Sequence, residues 1–446
     1  MLNDYAALGS QEIWNTARTE VYMTNLGSPF DTGPGVCGCP TLTQEIIEYP
    51  ATEGVPYDTP AADPAPWYDV DQDHSGDYLG FLPMSIGGIE DNPRGRSVTN
   101  AVGGGGVFGP SRSLPRTITV TGLIVGRSCC GATYGLQYLS EALSQCTADA
   151  CDGDCLVMYN CCPGEETPAV FNADHRRTFR RTALVSGPTV VQTNGSGQCT
   201  NGGCAAGGTI ITVEFVLVAA NPWAWSDVLP LLDVPLPTAD GSTPCIDWCL
   251  RDPETDTGDC PASDCLFGSC AADTGCDDPL NTIPAPPQPT APLTSFCVPL
   301  GSERDCYDID LSFRPGWSSD VPMITINAGS SPLRNVRVLM FIKPVGSLLS
   351  CDTIADNNRC DPIEEFVITY VPAGGVLILD GQIGKALLVC NDTCQQATTV
   401  YGDQDGGPVR FNELSCATYC LCIETDPAYP PATDASISFG VSGRNM

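Results

Sequence analysis

Cysteine is the residue type with the most chemistry to offer here: the chain carries 26, set against two histidines, His74 and His175. No C-x2-C pair occurs; Cys151 and Cys155, like Cys390 and Cys394, have three residues between them, and Cys420 and Cys422 have one. Those spacings differ from the paired ligands that build a tetrahedral zinc site. The adjacent pairs Cys129-Cys130 and Cys161-Cys162 suit a disulfide framework better than a metal cage. Cys245, Cys249, Cys260, Cys265, Cys270 and Cys276 crowd a stretch too poor in apolar residues for a core, which needs covalent or metal staples. Disulfides are the expected use, with metal ligation and free thiols as alternatives, and sequence does not give the pairing.

The other chemistry-bearing patterns are weaker. Two histidines leave little for a Ser-His-Asp or Cys-His site, and no G-x-S-x-G elbow, Walker loop or H-E-x-x-H is present. The glycines at 103–106 lack the strand-before, helix-after setting of a phosphate cradle. Asp69, Asp71, Asp73 and Asp77 resemble part of a calcium loop, but the Gly and Glu of the EF-hand pattern are missing and no helices flank it, so a solvated turn is expected. Trp317, Tyr401 and Tyr429 are the aromatics a sugar site would use, and each reads equally as a packing residue. No catalytic residue, metal or cofactor is expected, and the chain reads as a non-enzyme.

One basic cluster stands out. Arg176, Arg177, Arg180 and Arg181 lie in RRTFRRTALVSGPTVV, a strand pattern that puts Arg177, Phe179 and Arg181 on one face. It reads as an electrostatic seam to an acidic neighbour, such as another copy of the chain, or as an exposed face with internal ion pairs. The rest of the surface is acidic, with 20 Lys+Arg against 53 Asp+Glu and a net charge of −33. Such a charge repels nucleic acid and anionic lipid, so specific nucleic-acid binding is not expected.

The elements that must position these residues centre on 114–145. There Thr117, Thr119 and Thr121 alternate with Ile118 and Val120, the period of a half-buried strand. Gly122 and Gly126 punctuate it. Ala132, Leu136, Leu139 and Leu143 then form one stripe of a helix three to four turns long. Downstream, Ile211, Val213, Phe215 and Leu217 mark the buried face of a second strand. Before the central element, 20–24 and 81–89 are short strand candidates, and the glycines at 103–106 form a flexible joint. Periodicity disappears from 227 to 305, where PAPPQP suggests a polyproline II spacer. Beyond it, eight short strands are expected at 307–313, 323–327, 336–342, 366–371, 376–379, 386–389, 419–423 and 435–442, with the turn residues of an antiparallel sandwich or jelly roll. No apolar run is long enough for a membrane helix, and the start lacks the pattern of a signal peptide.

RTITVTGLIVG, the YGLQYLSEAL helix and the strand closing in FVLVAANPWAWS together resemble the N-terminal belt domain of distal tail proteins from long-tailed bacteriophages. VRVLMFIKP, FVITYVPAGGVLILDG and SISFGVSGR resemble the galectin-like sandwich of the same family. The resemblance covers 116–226 and 333–444. It implies a mainly β chain: an N-terminal ring-forming sandwich with one packed helix over 1–226, a Cys/Pro-rich insert over 227–305, and a C-terminal galectin-like antiparallel sandwich over 306–446. It implies a structural role as minor tail protein or baseplate hub in the virion tail. Copies would form a ring, of six or of three, between the tail tube protein and the tip hub protein, with the tape measure protein inside. Such a protein is made in host cytoplasm and is extracellular after lysis, where disulfides form. An adhesin whose C-terminal sandwich binds host glycan is the alternative.

Overall fold

The computed structural model describes residues 4–9, 11–26, 39, 41–49, 56–63, 65–91, 93–144, 153–195, 206–238, 245–249, 295–299, 302–316, 318–390 and 393–445. Two compact units result, Met1–Asp227 with Arg444–Met446, and Val228–Gly443. Both are built mainly of antiparallel β-structure.

The first unit contains β1 (Tyr5–Leu8), β2 (Gln11–Asn15), α1 (Thr16–Asn25), β3 (Tyr78–Gly87), β4 (Arg116–Ser128), α2 (Cys129–Leu143), β5 (Asp154–Tyr159), α3 (Pro168–His175), β6 (Arg176–Gly195), β7 (Ala206–Ala219) and β8 (Ala224–Ser226). Strand order is β2-β1-β5-β6-β7-β4-β3. Strand β6 changes partners midway: it pairs with β5 and β8 through its first residues and with β7 from Thr182 onward. The switch falls near Arg181, whose φ of 58° breaks the extended run. Trp225 of β8 also pairs with Arg444.

The centre follows the sequence pattern. Ile118, Val120 and Ile124 of β4 and Ile211, Val213, Phe215 and Leu217 of β7 are buried in one core. Gly122 and Gly126 do not end the strand; they keep it close-packed, because the Phe81 ring and the Ala132 backbone fill the space a Cβ would need. Ser128 starts α2 by accepting from the Gly131 amide. Ala132, Leu139 and Leu143 are buried on its stripe, and Leu136 packs against the same core.

Two expectations are corrected. Residues 20–24 belong to helix α1 rather than a strand: the Asn15 side chain caps it, and Arg18, Thr19, Tyr22 and Met23 are buried at helical spacing. The glycines at 103–106 are no joint between elements. They turn a short ribbon in which Val98–Asn100 pairs with Gly106–Phe108, positive φ at Gly104 and Gly105 closing the turn.

The second unit is a two-layer sandwich. Its strands are β9 (Leu229–Pro235), β10 (Glu303–Asp310), β11 (Asp320–Asn327), β12 (Leu333–Ile342), β13 (Glu364–Val371), β14 (Val376–Asp380), β15 (Lys385–Cys390), β16 (Thr393–Gln396), β17 (Val400–Tyr401), β18 (Thr418–Thr425) and β19 (Ser436–Asn445), with α4 (Cys351–Asn357) after β12. One sheet runs β9-β19-β11-β14-β15-β16, the other β10-β18-β12-β13-β17. Ile324, Ile326, Leu377, Leu379, Ile437 and Phe439 from the first meet Val336, Val338, Phe366, Ile368, Leu421 and Ile423 from the second. The aperiodic stretch is partly ordered: Leu229–Pro235 joins this unit's sheet, and Cys245–Cys249 pairs with Ser295–Pro299.

Candidate assembly surfaces

The residues that could do chemistry are scattered. His74 is half-exposed, 3.7 Å from Asp77. His175 ends α3, with Nδ1 2.8 Å from Asn160 Oδ1 and its ring against Phe171. The aspartates at 69–77 form an exposed turn in which Asp69 accepts from the Asp71 amide and its backbone carbonyl accepts from Ser75 Oγ. Tyr401 and Tyr429 are partly exposed, the latter beside the Arg334 guanidinium; Trp317 lies outside the described residues.

Among the described cysteines eight are disulfide-bonded, while Cys155, Cys161, Cys360, Cys394 and Cys416 keep their thiols. Cys39–Cys162, Cys306–Cys422 and Cys351–Cys420 are bonded, and Cys129 and Cys130 at the start of α2 are both disulfide-bonded. Cys161 keeps a free thiol that donates to the Cys162 carbonyl, since its neighbour has taken the bond to Cys39. Cys245 and Cys249 sit on the short ladder with side chains outside the description, and Cys260, Cys265, Cys270 and Cys276 lie outside the described residues. Asp308, Cys351 and Cys420 place three ligand atoms within 4.8 Å of one another, but the two sulfurs are joined to each other.

The arginine strand is engaged rather than bare. Arg177 is buried, its guanidinium donating to the Arg176 carbonyl, and Arg176 lies 3.8 Å from Asp227. Arg180 and Arg181 are half-buried and also partnered.

Three features that sequence reasoning missed face outward. The first is an arm between β3 and β4: Arg94–Gly95 pairs with Arg112–Ser113, and the 98–108 ribbon continues beyond it. Val98, Val102, Val107 and Phe108 on this arm are exposed. No acidic residue occurs from 92 to 140, although the chain is strongly acidic, so the arm is apolar and cationic. That gap was the available signal. Arg116 clasps the base, with Nε donating to the Pro222 carbonyl at 2.8 Å and Nη1 to those of Ile89 and Gly88. A cleft of about 420 Å³ opens there, lined by Gly88, Asp91, Pro93, Pro115, Arg116 and Thr117.

The other two features are strand edges. Among the described residues β3 pairs only with β4, and its later half, with Met84, is exposed. At the far side of the same run of strands, β6 beyond Thr182 pairs only with β7 and exposes Val185, Val190 and Val191. Edges of this length with apolar side chains are templates for added strands.

No family model and no curated protein matches the chain. Two solved structures align over most of it. One is the crystal structure of the SPP1 Dit (gp 19.1) protein, titled a paradigm of the hub adsorption apparatus in phages infecting Gram-positive bacteria. It is 10% identical over 82% of this chain and 94% of that one, with a TM-score of 0.36. The other is the phage p2 baseplate in its activated conformation with Sr, 10% identical over 84% of this chain and 92% of that one, again with a TM-score of 0.36. At this level of similarity neither assigns a function.

Proposed function

We propose that the protein is a structural component of a bacteriophage tail. Copies of the first unit tile into a ring at the tail's distal end, and the ring joins the tube protein to the tip hub, with the tape measure protein inside. The tail reading is supported by the sequence resemblance over 116–226 and 333–444. The ring reading is carried by one observation: among the described residues, the strand run β6-β7-β4-β3 ends on each side in a strand edge with no further partner, with Val185, Val190 and Val191 exposed on one side and Met84 on the other. Two different edges on one molecule make a head-to-tail contact, which closes into a ring when the rotation per copy divides a full turn. The cationic arm and the arginine strand would add charge complementarity to an acidic neighbour. The acidity has a use in such a ring, since a negative bore lets DNA pass without sticking.

Mass measurement in solution tests this. The intact protein is expected to run at about six chains per particle, or about three. Val185→Lys with Val191→Lys, which charges the β6 edge, is expected to yield monomers that keep the wild-type circular dichroism. A wild-type protein that stays monomeric at high concentration would sink the ring and favour the glycan-binding adhesin.

A further inference from the structure

The outer face of the β10-β18-β12-β13-β17 sheet carries a small second core. Along β18, Leu421 and Ile423 point into the main core, while Cys420 and Cys422 face the other way with Leu339 and Phe341 of β12. Their cover is α4, which contributes Cys351, Ile354 and Ala355. A seven-residue helix is too short to persist unaided, and three side chains are a thin contact against the entropy of ordering it. Its polar ties include the Ser350 cap and the bonds from Arg304 to the exposed Asp352 and Asp356, at 3.7 and 2.7 Å. The covalent link Cys351–Cys420 is what fastens it to the sheet. Cys306–Cys422 does a parallel job, joining residues directly opposite each other on β18 and the edge strand β10. Neither bond crosses between the two sheets. Cys306–Cys422 therefore links two strands within one sheet, and only Cys351–Cys420 fastens an element that lies outside the strands.

We propose that Cys351–Cys420 is a thiol–disulfide switch that opens and closes this cap. Opening is the exchange with two reduced glutathione thiols, which leave as one glutathione disulfide while Cys351 and Cys420 become thiols, and α4 swings off the sheet. Leu339, Phe341 and Ile354 then become accessible beside the loop that leads into α4, where Val345 and Leu348 are already fully exposed. Closure is an exchange with a small-molecule disulfide such as oxidised glutathione. The Cys420 or Cys351 thiolate attacks it, one glutathione leaves as thiol, and the second protein thiolate displaces the other. Two electrons and two protons pass to glutathione as one protein S–S bond forms and one small-molecule S–S bond breaks.

Hydrogen exchange on the full chain tests the switch, with EDTA present because zinc could bridge the freed thiolates beside Asp308. On reduction, amides of 351–357 are expected to exchange at least tenfold faster, while those of 321–326, 377–380 and 437–441 keep their protection. Oxidised glutathione should restore the original rates. The Cys351→Ser/Cys420→Ser double variant should match the reduced protein and ignore reductant. Unchanged protection at 351–357 after verified reduction would overturn the proposal. So would loss of protection across all the strands, which would make the bonds supports of the sandwich itself.

Discussion

The two units answer the same problem, two faces of a sheet to cover, in opposite ways. The first keeps charge inside and leaves strand edges outside. Arg18, 3% exposed, lies 3.2 Å from Glu12, 3.6 Å from Glu48 and 3.9 Å from Asp63, under the Tyr57 ring, with Tyr22 as a further hydrogen-bond partner. This cluster ties β2 and α1 to the one-turn helix at 44–47, through its C-cap Glu48, and to the loop at 57–63, and burial raises the Glu12 pKa against the pull of Arg18. The second unit centres on an apolar core and sets the Arg337 pairs, to Glu365 and Glu424 at 2.8 Å, along the outer face, while one buried carboxylate, Asp320, is held by Arg314 at 2.7 Å. Its disulfides sit outside the core as well. The first unit's order depends on a few buried charges, and the β6 and β3 edges it leaves open are the ones the proposed ring would pair.

The sharpest way to break the contrast is Arg18→Met. Removing one cation from beside buried carboxylates is expected to cost about 3–5 kcal/mol, and calorimetry should show the first unit's transition falling while the second's stays put. Glu364 is a buried carboxylate of the second unit that accepts the Asn412 amide with one oxygen and, among the described residues, has no hydrogen-bond partner for the other. Burial pushes its pKa up to about 8, against an ordinary 4.5. A folded-state pKa raised above the unfolded one gives stability that is whole below about pH 4.5 and is lost as pH rises through about 8. The urea-unfolding free energy of the second unit should therefore fall by about 1–4 kcal/mol across that window, and Glu364→Gln should flatten the profile. Ser128→Ala, which removes the cap of α2, is expected to cost about 1 kcal/mol in the first unit alone. Smallest is Arg176→Ala, worth about 0–1 kcal/mol to the isolated chain because its pair with Asp227 is half-exposed. If it nonetheless lowers the particle mass, the arginine strand belongs to the ring contact.

Legibility followed periodicity. All eight C-terminal strands and the β4–α2–β7 centre could be read, because alternation along β7 and the stripe on α2 are set by burial of one face. Helix α1 was read as a strand since its buried face includes Arg18 and Thr19, polar residues that carry no hydrophobic period. The Arg18 cluster was invisible for the same reason: its members lie up to 51 residues apart (Glu12 to Asp63). Helix α4 is too short to show a repeat. The arm left a trace in charge rather than in pattern, and the free edges depend on strand order, which no local window contains.

The pairing of Trp225 with Arg444 has a practical side. A gene cut at the 227/228 boundary would leave the first piece without residues 444 and 445, which pair with β8. Anyone dissecting the protein should therefore leave residues 444 and 445 joined to the N-terminal piece by a short linker, or expect that corner to fray.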